Sequence, residues 1–244
     1  DYEDLEQKIA ERKIHAAVFC SPHNPAGRVW ERWEIEKMMG IYAKHDVYVV
    51  SDEIWADQVM PGHTHIPTQS VSEDAKMRTV AVYAPSKTFN LAGLVGSYVV
   101  VYNKYLQDRM ARVAKMTHYN NMNVLSMYAL IGGYSKEGAE WVDELRTVLD
   151  GNAEYAVNYI KEHFPGIKVT KPEGTYMLFM DCTEWCEKHG KIIDEVQNAG
   201  VSVGIIWQDG RPFYGPCHIR LNLALPLSRV KEAFDRMDKY VFNA

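Results

Sequence analysis

The first half of the chain alternates between short apolar runs and stretches with helical spacing. Residues 16–20, 47–51, 79–84 and 96–102 are apolar runs of strand length, while residues 31–44 repeat their apolar positions at the helical period. An amphipathic helix is also predicted directly after Asp1. Apolar strands separated by helices or long crossovers are typical of a mainly parallel sheet that is covered on both faces.

The second half mixes helices with short strands. Helices are predicted over residues 106–117, 124–134, 137–163 and 227–241, and strands over 167–170, 175–181, 201–206 and 218–223. We therefore predict an α/β protein in two parts. Residues 1–139 form a large domain with the mainly parallel sheet, and residues 140–244 form a smaller α+β domain after a long helix.

Composition narrows the range of partners. The chain has 244 residues, 47% hydrophobic and 24% charged, which is ordinary for a globular protein. The net charge of −5, without a basic cluster, argues against nucleic acid. The longest apolar stretch, residues 94–102, is too short to span a bilayer.

Cysteine and histidine spacing gives no strong metal signal. Cys182 and Cys186 form a lone CxxxC, which favours reduced thiols in a cytoplasmic protein over a metal site. His63 and His65 lie in a loop and are interpreted as polar loop residues. The sequence therefore predicts no metal.

Lys87 is the most informative residue, because it follows the apolar run 79–84 within Ala-Pro-Ser-Lys-Thr-Phe. An amine at the end of a buried strand has few neighbours that suit an ammonium. Burial lowers the pKa of a lysine side chain, and an uncharged amine attacks carbonyl carbons. This setting favours a Schiff-base lysine, with a structural ion pair as the alternative.

Two other strands also lead to polar side chains. Asn24 follows the first strand, and Asp52 follows the second. In open α/β sheets the ligand crevice lies at the carboxyl ends of the strands, so an amide, a carboxylate and an amine could meet there. Pyridoxal 5′-phosphate (PLP) needs these three groups, at its ring oxygen, its pyridine nitrogen and its aldehyde. Taken singly, each has another explanation: a turn, a helix cap or an ion pair.

Four motifs, in order, resemble those of the fold-type I PLP-dependent aminotransferases. The sequence around the first and third of these motifs looks most like that of the MalY/PatB branch, the cystathionine β-lyase-like C–S lyases. The motifs are Asn24-Pro25-Ala26-Gly27, Ser51-Asp52-Glu53-Ile54, Ser86-Lys87-Thr88-Phe89-Asn90 and Ile219-Arg220-Leu221-Asn222.

The resemblance assigns a role to each matching residue. Lys87 would attach the cofactor and move the proton at the substrate α-carbon. Asp52 would pair with the pyridine nitrogen, and Asn24 would donate to the ring oxygen beside the substrate. Arg220 would bind the substrate α-carboxylate with its two-pronged guanidinium. Ser86 would contact the cofactor phosphate.

Two positions depart from the family pattern. Three residues after Asp52 the family usually has a tyrosine or histidine that reaches the ring oxygen, and this chain has Trp55, which can donate but not accept. Eight residues after Lys87 many members have a phosphate-binding arginine, and this chain has Val95. Phosphate binding would then depend more on backbone amides and hydroxyls.

Residues 174–176 match either a family turn near the substrate pocket or a simple hairpin entry.

The resemblance also implies a segment ahead of Asp1 that supplies part of the phosphate site and a ring-stacking aromatic. We therefore expect the C-terminal portion of a longer homodimeric enzyme, which by itself binds PLP weakly and is inactive. The expected activity is a PLP-dependent C–S β-lyase acting on cysteine S-conjugates, small amino-acid substrates such as cystathionine. The alternatives are an aminotransferase with the same residues and a non-catalytic binding protein.

Overall fold

The computed structural model describes residues 1–117 and 122–243. In these ranges the α-helices and β-strands have the following bounds. The helices are α1 (Tyr2–Arg12), α2 (Arg32–Lys44), α3 (Glu73–Arg78), α4 (Pro85–Thr88), α5 (Lys104–Thr117), α6 (Val124–Gly133), α7 (Lys136–His163), α8 (Thr183–His189), α9 (Ile193–Ser202) and α10 (Leu227–Met237). The strands are β1 (Ala16–Cys20), β2 (Tyr48–Asp52), β3 (Thr79–Tyr83), β4 (Tyr98–Val100), β5 (Met177–Asp181), β6 (Gln208–Asp209) and β7 (His218–Asn222).

Local sequence explains where the early helices begin and end. The Asp1 carboxylate accepts hydrogen bonds from the amides of Glu3 and Asp4 at 3.1 and 3.0 Å, which caps α1. Lys13 ends that helix in the left-handed region, with φ 51°.

No helix in the described part of the chain is both long and apolar enough to cross a membrane.

The first sheet has the order β1-β2-β3-β4, with β1, β2 and β3 parallel and β4 antiparallel to β3. The mainly parallel sheet predicted from the apolar runs is therefore confirmed. The register sets Asp52 opposite Cys20 on one side and Val82 on the other. Asp52 thus lies at the carboxyl end of the middle of three parallel strands.

The two faces of this sheet differ. Phe19 and Val49, on one face, are buried in a cluster that includes residues of α1, α2 and α3. On the other face, Val18, Val50 and Val99 are 76%, 38% and 46% exposed. The expectation that both faces are covered is wrong for the described residues. The apolar runs fit a sheet with helices on both faces, but these helices cover only one face.

The helices after β4 also leave apolar residues exposed. Helix α5 has no buried residue, and in α6 only Ser126 is buried. Leu125, Tyr128 and Ile131 of α6 are 71%, 67% and 60% exposed. A helix that is apolar on all sides is usually enclosed by other parts of a protein.

The second sheet has the order β5-β7-β6 and is antiparallel. One of its faces contributes Leu178 and Ile219, both fully buried, to a core that also holds Phe234 of α10. Because strand side chains alternate, Phe179 and Arg220 lie on the opposite face, where both are half-buried. This sheet therefore separates a core from a face that carries both aromatic and polar side chains.

The chain divides into two compact units. The first comprises Asp1–Pro22, Val29–Val59 and Thr64–Asp143, and the second comprises His23–Arg28, Met60–His63 and Glu144–Ala244. Two short early segments therefore belong to the second unit. The domain boundary between residues 139 and 140 stays a prediction.

Two of the predicted strands are not strands. Over residues 201–206, α9 continues to Ser202, and a turn follows in which Gly204 has φ 79°. The amide of Ile205 donates to Gly200 O at 2.9 Å, so hydrogen bonding to the helix end replaces strand pairing. Over residues 167–170, Lys168 forms a single bridge with Asp181 and no ladder extends from it.

Candidate functional site

Lys87 lies in the short helix α4, directly after β3, and is half-buried. Its Nζ is 5.8 Å from the ring centroid of Trp55, within the range of a cation–π contact. Trp55 is only 1% exposed. Among the described residues, no carboxylate lies within 4.0 Å of Lys87 Nζ. The structural ion pair considered as the alternative is therefore not seen.

The turn that carries Lys87 is held by its neighbour, Thr88. Thr88 Oγ1 donates to Asp57 Oδ2 at 2.8 Å, and the Tyr134 hydroxyl donates to the same oxygen at 3.1 Å. Gln58 Nε2 donates to Thr88 O at 3.4 Å. Thr88 is 1% exposed, so these bonds fix the backbone next to Lys87.

Asp52 keeps an oxygen available for a donor. Its Oδ1 accepts from the amide of Ile54 at 3.2 Å, and Oδ2 has no hydrogen-bond donor within the described ranges. Asp52 is half-buried and lies on the same face of the sheet as Val50, where the neighbouring side chains are exposed. A cationic N–H could therefore approach Oδ2 from that face.

Glu53, the next residue, is buried within a hydrogen-bond network that the sequence analysis missed. Its Oε1 accepts from Ser51 Oγ at 2.8 Å and from the amide of Thr68 at 3.0 Å. Its Oε2 accepts from the Tyr83 hydroxyl and lies against His65 Nε2, both at 2.7 Å. Burial by itself would raise the pKa of Glu53, but the hydrogen bonds from His65 and Tyr83 outweigh it and hold that pKa below its usual value.

The Glu53 network fixes the backbone that leads out of β2 between Asp52 and Trp55. The sequence signal was the Ser-Asp-Glu run at the end of an apolar strand, where a second carboxylate needs partners of its own. His65, interpreted as a polar loop residue, is one of those partners.

Arg220 lies on the central strand of the second sheet. Its Nη1 donates to Asn24 Oδ1 at 3.0 Å, and its Nη2 donates to Gln208 Oε1. The guanidinium carbon is 4.7 Å from the ring centroid of Phe213. Burial lowers the pKa of Arg220, and the nearby Tyr176 opposes that effect.

The orientation of Asn24 follows from this contact. Because its Oδ1 accepts from Arg220, its Nδ2 faces away and can donate to another acceptor. This arrangement is compatible with the donor role that the resemblance implies for Asn24.

The last position of the Asn-Pro-Ala-Gly motif, residue 27, has no room for a side chain. It has φ +70°, and a Cβ at this position would lie 2.5 Å from Pro172 Cβ. Gly27 O accepts from the amides of Glu173 and Gly174 at 2.8 and 2.9 Å. The motif is thereby joined to the turn at residues 174–176.

The phosphate-site predictions concern Ser86 and Val95. Ser86 is half-buried, and its hydroxyl makes no hydrogen bond among the described residues. Val95 is 81% exposed and has φ 52°, a left-handed conformation that is strained for a β-branched residue. Val95 offers no charge to an anion.

The structure thus brings the predicted site residues together in two groups. Lys87 contacts Trp55 in the first unit, which also contains Asp52 and Ser86. Asn24 contacts Arg220 in the second unit. Gln208 and Phe213 were missed because neither is next to Arg220 along the chain, and only the fold brings them into contact with it.

Among the described residues, the cysteines and potential metal ligands do not gather into a separate site. Burial raises the pKa of Cys182, and it raises the pKa of Cys186 to about 12. Thiols of this kind are unreactive. Within the part of the chain that the structure describes, no group of three or more histidine, cysteine or carboxylate residues could hold a metal ion.

Comparison with known proteins identifies the family. The model named "Aminotransferase class I and II" matches residues 1–237. The chain is 31% identical over 240 residues to cystathionine beta-lyase PatB of Bacillus subtilis, covering 97% of this chain and 61% of that protein.

Two solved structures are similar over at least 98% of the chain. A PLP-bound putative aminotransferase from Clostridium difficile 630 shares 35% identity at a TM-score of 0.93, covering 100% of this chain and 62% of that one. Cystalysin from Treponema denticola, which contains a PLP cofactor, shares 31% identity at a TM-score of 0.91, covering 98% of this chain and 60% of that one. The chain therefore spans about 60% of the length of these relatives.

These similarities confirm the fold and family predicted from the four motifs. The fold is that of the type I PLP-dependent transferases, and the family is one of PLP-dependent enzymes that includes lyases and aminotransferases. The chain belongs to the class I and II aminotransferase family.

Proposed function

We propose that this chain forms part of a PLP-dependent carbon–sulfur β-lyase. The proposal rests on two side chains, Lys87 and Asp52, that lie at the carboxyl ends of adjacent strands in the first unit. Lys87 follows β3 as a half-buried amine without a carboxylate partner among the described residues, and Asp52 ends the adjacent strand with one oxygen lacking a donor. An amine and a carboxylate so placed fit the aldehyde and the pyridine nitrogen of PLP.

The substrate would be a cysteine S-conjugate. The overall reaction adds water and gives a thiol, pyruvate and ammonia. The cofactor, when bound, supplies an electron sink for the negative charge that develops at the substrate α-carbon.

Each residue has a separate task in this reaction. Lys87 takes the proton from the α-carbon, and its fixed turn limits where the amine can reach. Asp52 would hold the proton on the pyridine nitrogen of the bound cofactor. Asn24 would donate through Nδ2 to the ring oxygen, and Arg220 would bind the substrate α-carboxylate.

We infer that the 244-residue chain by itself binds PLP weakly and has little activity. Val95 offers no cation to the phosphate, and Ser86 is the predicted hydroxyl contact. Weak binding would leave Lys87 reactive toward aldehydes but would not hold the cofactor tightly against it.

Reductive trapping tests the assignment of Lys87. The purified protein is mixed with PLP and reduced with borohydride, and the modified lysine is then found by peptide mass mapping. We expect Lys87 to be modified ahead of the other lysines, and Lys87→Arg to remove that product. The exposed control Lys188→Arg should change nothing. Equal modification of many lysines, unaffected by Lys87→Arg, would contradict the proposal.

The second candidate is an aminotransferase, favoured by the similarity to the PLP-bound putative aminotransferase. The two activities differ in their products. With PLP and cystathionine, a lyase forms pyruvate and thiol without any other substrate. An aminotransferase forms a keto acid only when an amino acceptor is added, and that result would replace the lyase assignment.

Homodimerisation and a cytoplasmic location are further parts of the proposal. Analytical ultracentrifugation of the protein with PLP should give twice the 28.0 kDa mass of one chain. The third possibility, a non-catalytic binding protein, predicts that pull-down partners are retained both with and without PLP and that borohydride attaches no PLP to Lys87.

A further inference from the structure

Arg220 differs from three other half-buried arginines in what surrounds it. Arg28, Arg78 and Arg236 each lie within 2.7 Å of a carboxylate oxygen: Glu173, Asp74 and Glu232 respectively. Arg220 has hydrogen bonds only to the neutral amide oxygens of Asn24 and Gln208 within the described ranges. The Arg220 cation is thus held in place without being neutralised.

Gln208 lies where it can set the orientation of the Arg220 guanidinium. It is the direct cross-strand partner of Arg220, so their side chains lie on the same face of the sheet. Gln208 is exposed, whereas Arg220 is half-buried. The Nη2 edge is therefore the side from which a small ligand could approach.

Phe213 restricts the approach further. Its ring lies over the guanidinium, with 4.7 Å between the guanidinium carbon and the ring centroid. Phe213 also packs edge-to-face against Phe179, the other cross-strand neighbour of Arg220, with 6.4 Å between centroids. An aromatic ring over the face leaves the edge, where paired N–H groups can meet a carboxylate.

We propose that Gln208 is a specificity-determining residue that orients Arg220 for one ligand carboxylate while leaving its charge uncompensated. The inference rests on the proposed role of Arg220 and adds a second requirement, that residue 208 be neutral. A carboxylate at position 208 would pair with Arg220 internally and compete with the ligand. A neutral side chain of similar size would only loosen the guanidinium.

Direct binding of acetate tests this requirement without any need for activity. The Arg220 Nε–Hε signal is followed by ¹⁵N NMR in the full 244-residue protein, and Arg220→Lys identifies the signal. Acetate should shift it saturably, and acetamide, its neutral analogue, should not. Gln208→Glu should weaken acetate binding about tenfold. Gln208→Leu should change it by less than about threefold, the value of one neutral hydrogen bond.

A matched control separates local pairing from overall charge. Asn198→Asp makes the same amide-to-carboxylate change at an exposed position of the second unit, and acetate affinity should stay close to that of the original protein. Thermal unfolding of each variant shows that the fold is retained.

The outcomes distinguish the two proposals. If acetate shifts the Arg220 signal but Gln208→Glu binds acetate as tightly as the original protein, the role of Gln208 is wrong and the carboxylate-binding role of Arg220 stands. If Gln208→Leu loses as much affinity as Gln208→Glu, neutrality is not the requirement. If acetate never shifts the Arg220 signal, the carboxylate-binding role in the proposed function fails.

Discussion

The two units of this chain complete their cores to different degrees. In the second unit, one sheet face and helices α7 to α10 enclose a core in which Phe234, Ile219 and Leu178 are fully buried. In the first unit, helices cover one face of the sheet, while Val18 on the other face remains 76% exposed. Both units carry predicted site residues, but only the second encloses its apolar strand residues.

The comparison shows that an apolar sequence pattern does not by itself mean that the side chains of a strand are buried. The strands of the first unit are apolar on both faces, as in sheets with two covering layers. In the second unit the central strand β7 alternates, with Ile219 and Leu221 facing the core and Arg220 facing away. An alternating strand needs cover on one face only, so the second unit is complete with one layer of helices.

Truncation of matched aromatic residues should give the largest contrast between the units. Phe234 packs against Tyr159 and Phe164, with centroids 5.5 and 6.2 Å apart. Phe234→Ala should lower the free energy of unfolding of the second unit by about 3–5 kcal/mol, because it leaves a cavity in a closed core. Hydrogen exchange of the α10 amides measures this.

The matched change in the first unit is Tyr128→Ala, at a residue that is 67% exposed on α6. It should alter stability by less than about 0.5 kcal/mol. A loss above 2 kcal/mol would mean that this helix is covered in solution.

Glu53→Gln should give the next largest effect, because Glu53 is the centre of a buried polar network in the first unit. The loss of charge-assisted hydrogen bonds should lower the free energy of unfolding by about 2–3 kcal/mol at pH 7. Urea unfolding followed by circular dichroism measures it. The exposed control Glu187→Gln should have no effect.

This contribution should also depend on pH in a defined direction. The pKa of Glu53 is lower in the folded state than its usual value of 4.5, so folding favours the charged form. The stability difference between the original protein and Glu53→Gln should be full above pH 4.5 and should shrink as the pH falls through the lowered pKa. A difference that grows on acidification would show that Glu53 is protonated in the folded protein.

The smallest effects come from a pair of valine-to-threonine changes. Val230→Thr, at a residue 2% exposed in the second unit, should cost about 1–2 kcal/mol because a hydroxyl is buried. Val18→Thr on the open face should cost almost nothing, yet it should reduce the fluorescence of a bound apolar dye such as ANS. Equal costs for the two changes would mean that both faces of the first sheet are covered in solution.

The sequence alone predicted much of the fold and the identity of the site residues. Continuous apolar runs located β1 to β4, and helical spacing located α2, α7 and α10 to within a few residues. The strand predicted over the apolar run 201–206 was wrong, since a turn closed by the hydrogen bond from the Ile205 amide to Gly200 O forms there. Apolar content by itself does not distinguish a helix end from a short buried strand.

The site divides in the same way. Lys87, Asp52, Asn24 and Arg220 could be found from motifs, because each is a chemical group placed next to a strand or turn signal in the sequence. The Glu53 network and the Gln208–Arg220 pair could not, because their partners other than Ser51 lie 12 to 30 residues away along the chain.

The sequence by itself therefore determined which groups are present and which strands carry them, since apolar period and residue chemistry are local properties. Only the tertiary structure decided which charges are paired, which face of each sheet is enclosed and how Arg220 is held. Those depend on strand register and on the packing of segments far apart in the chain, and a one-residue change of register would move each side chain to the opposite face.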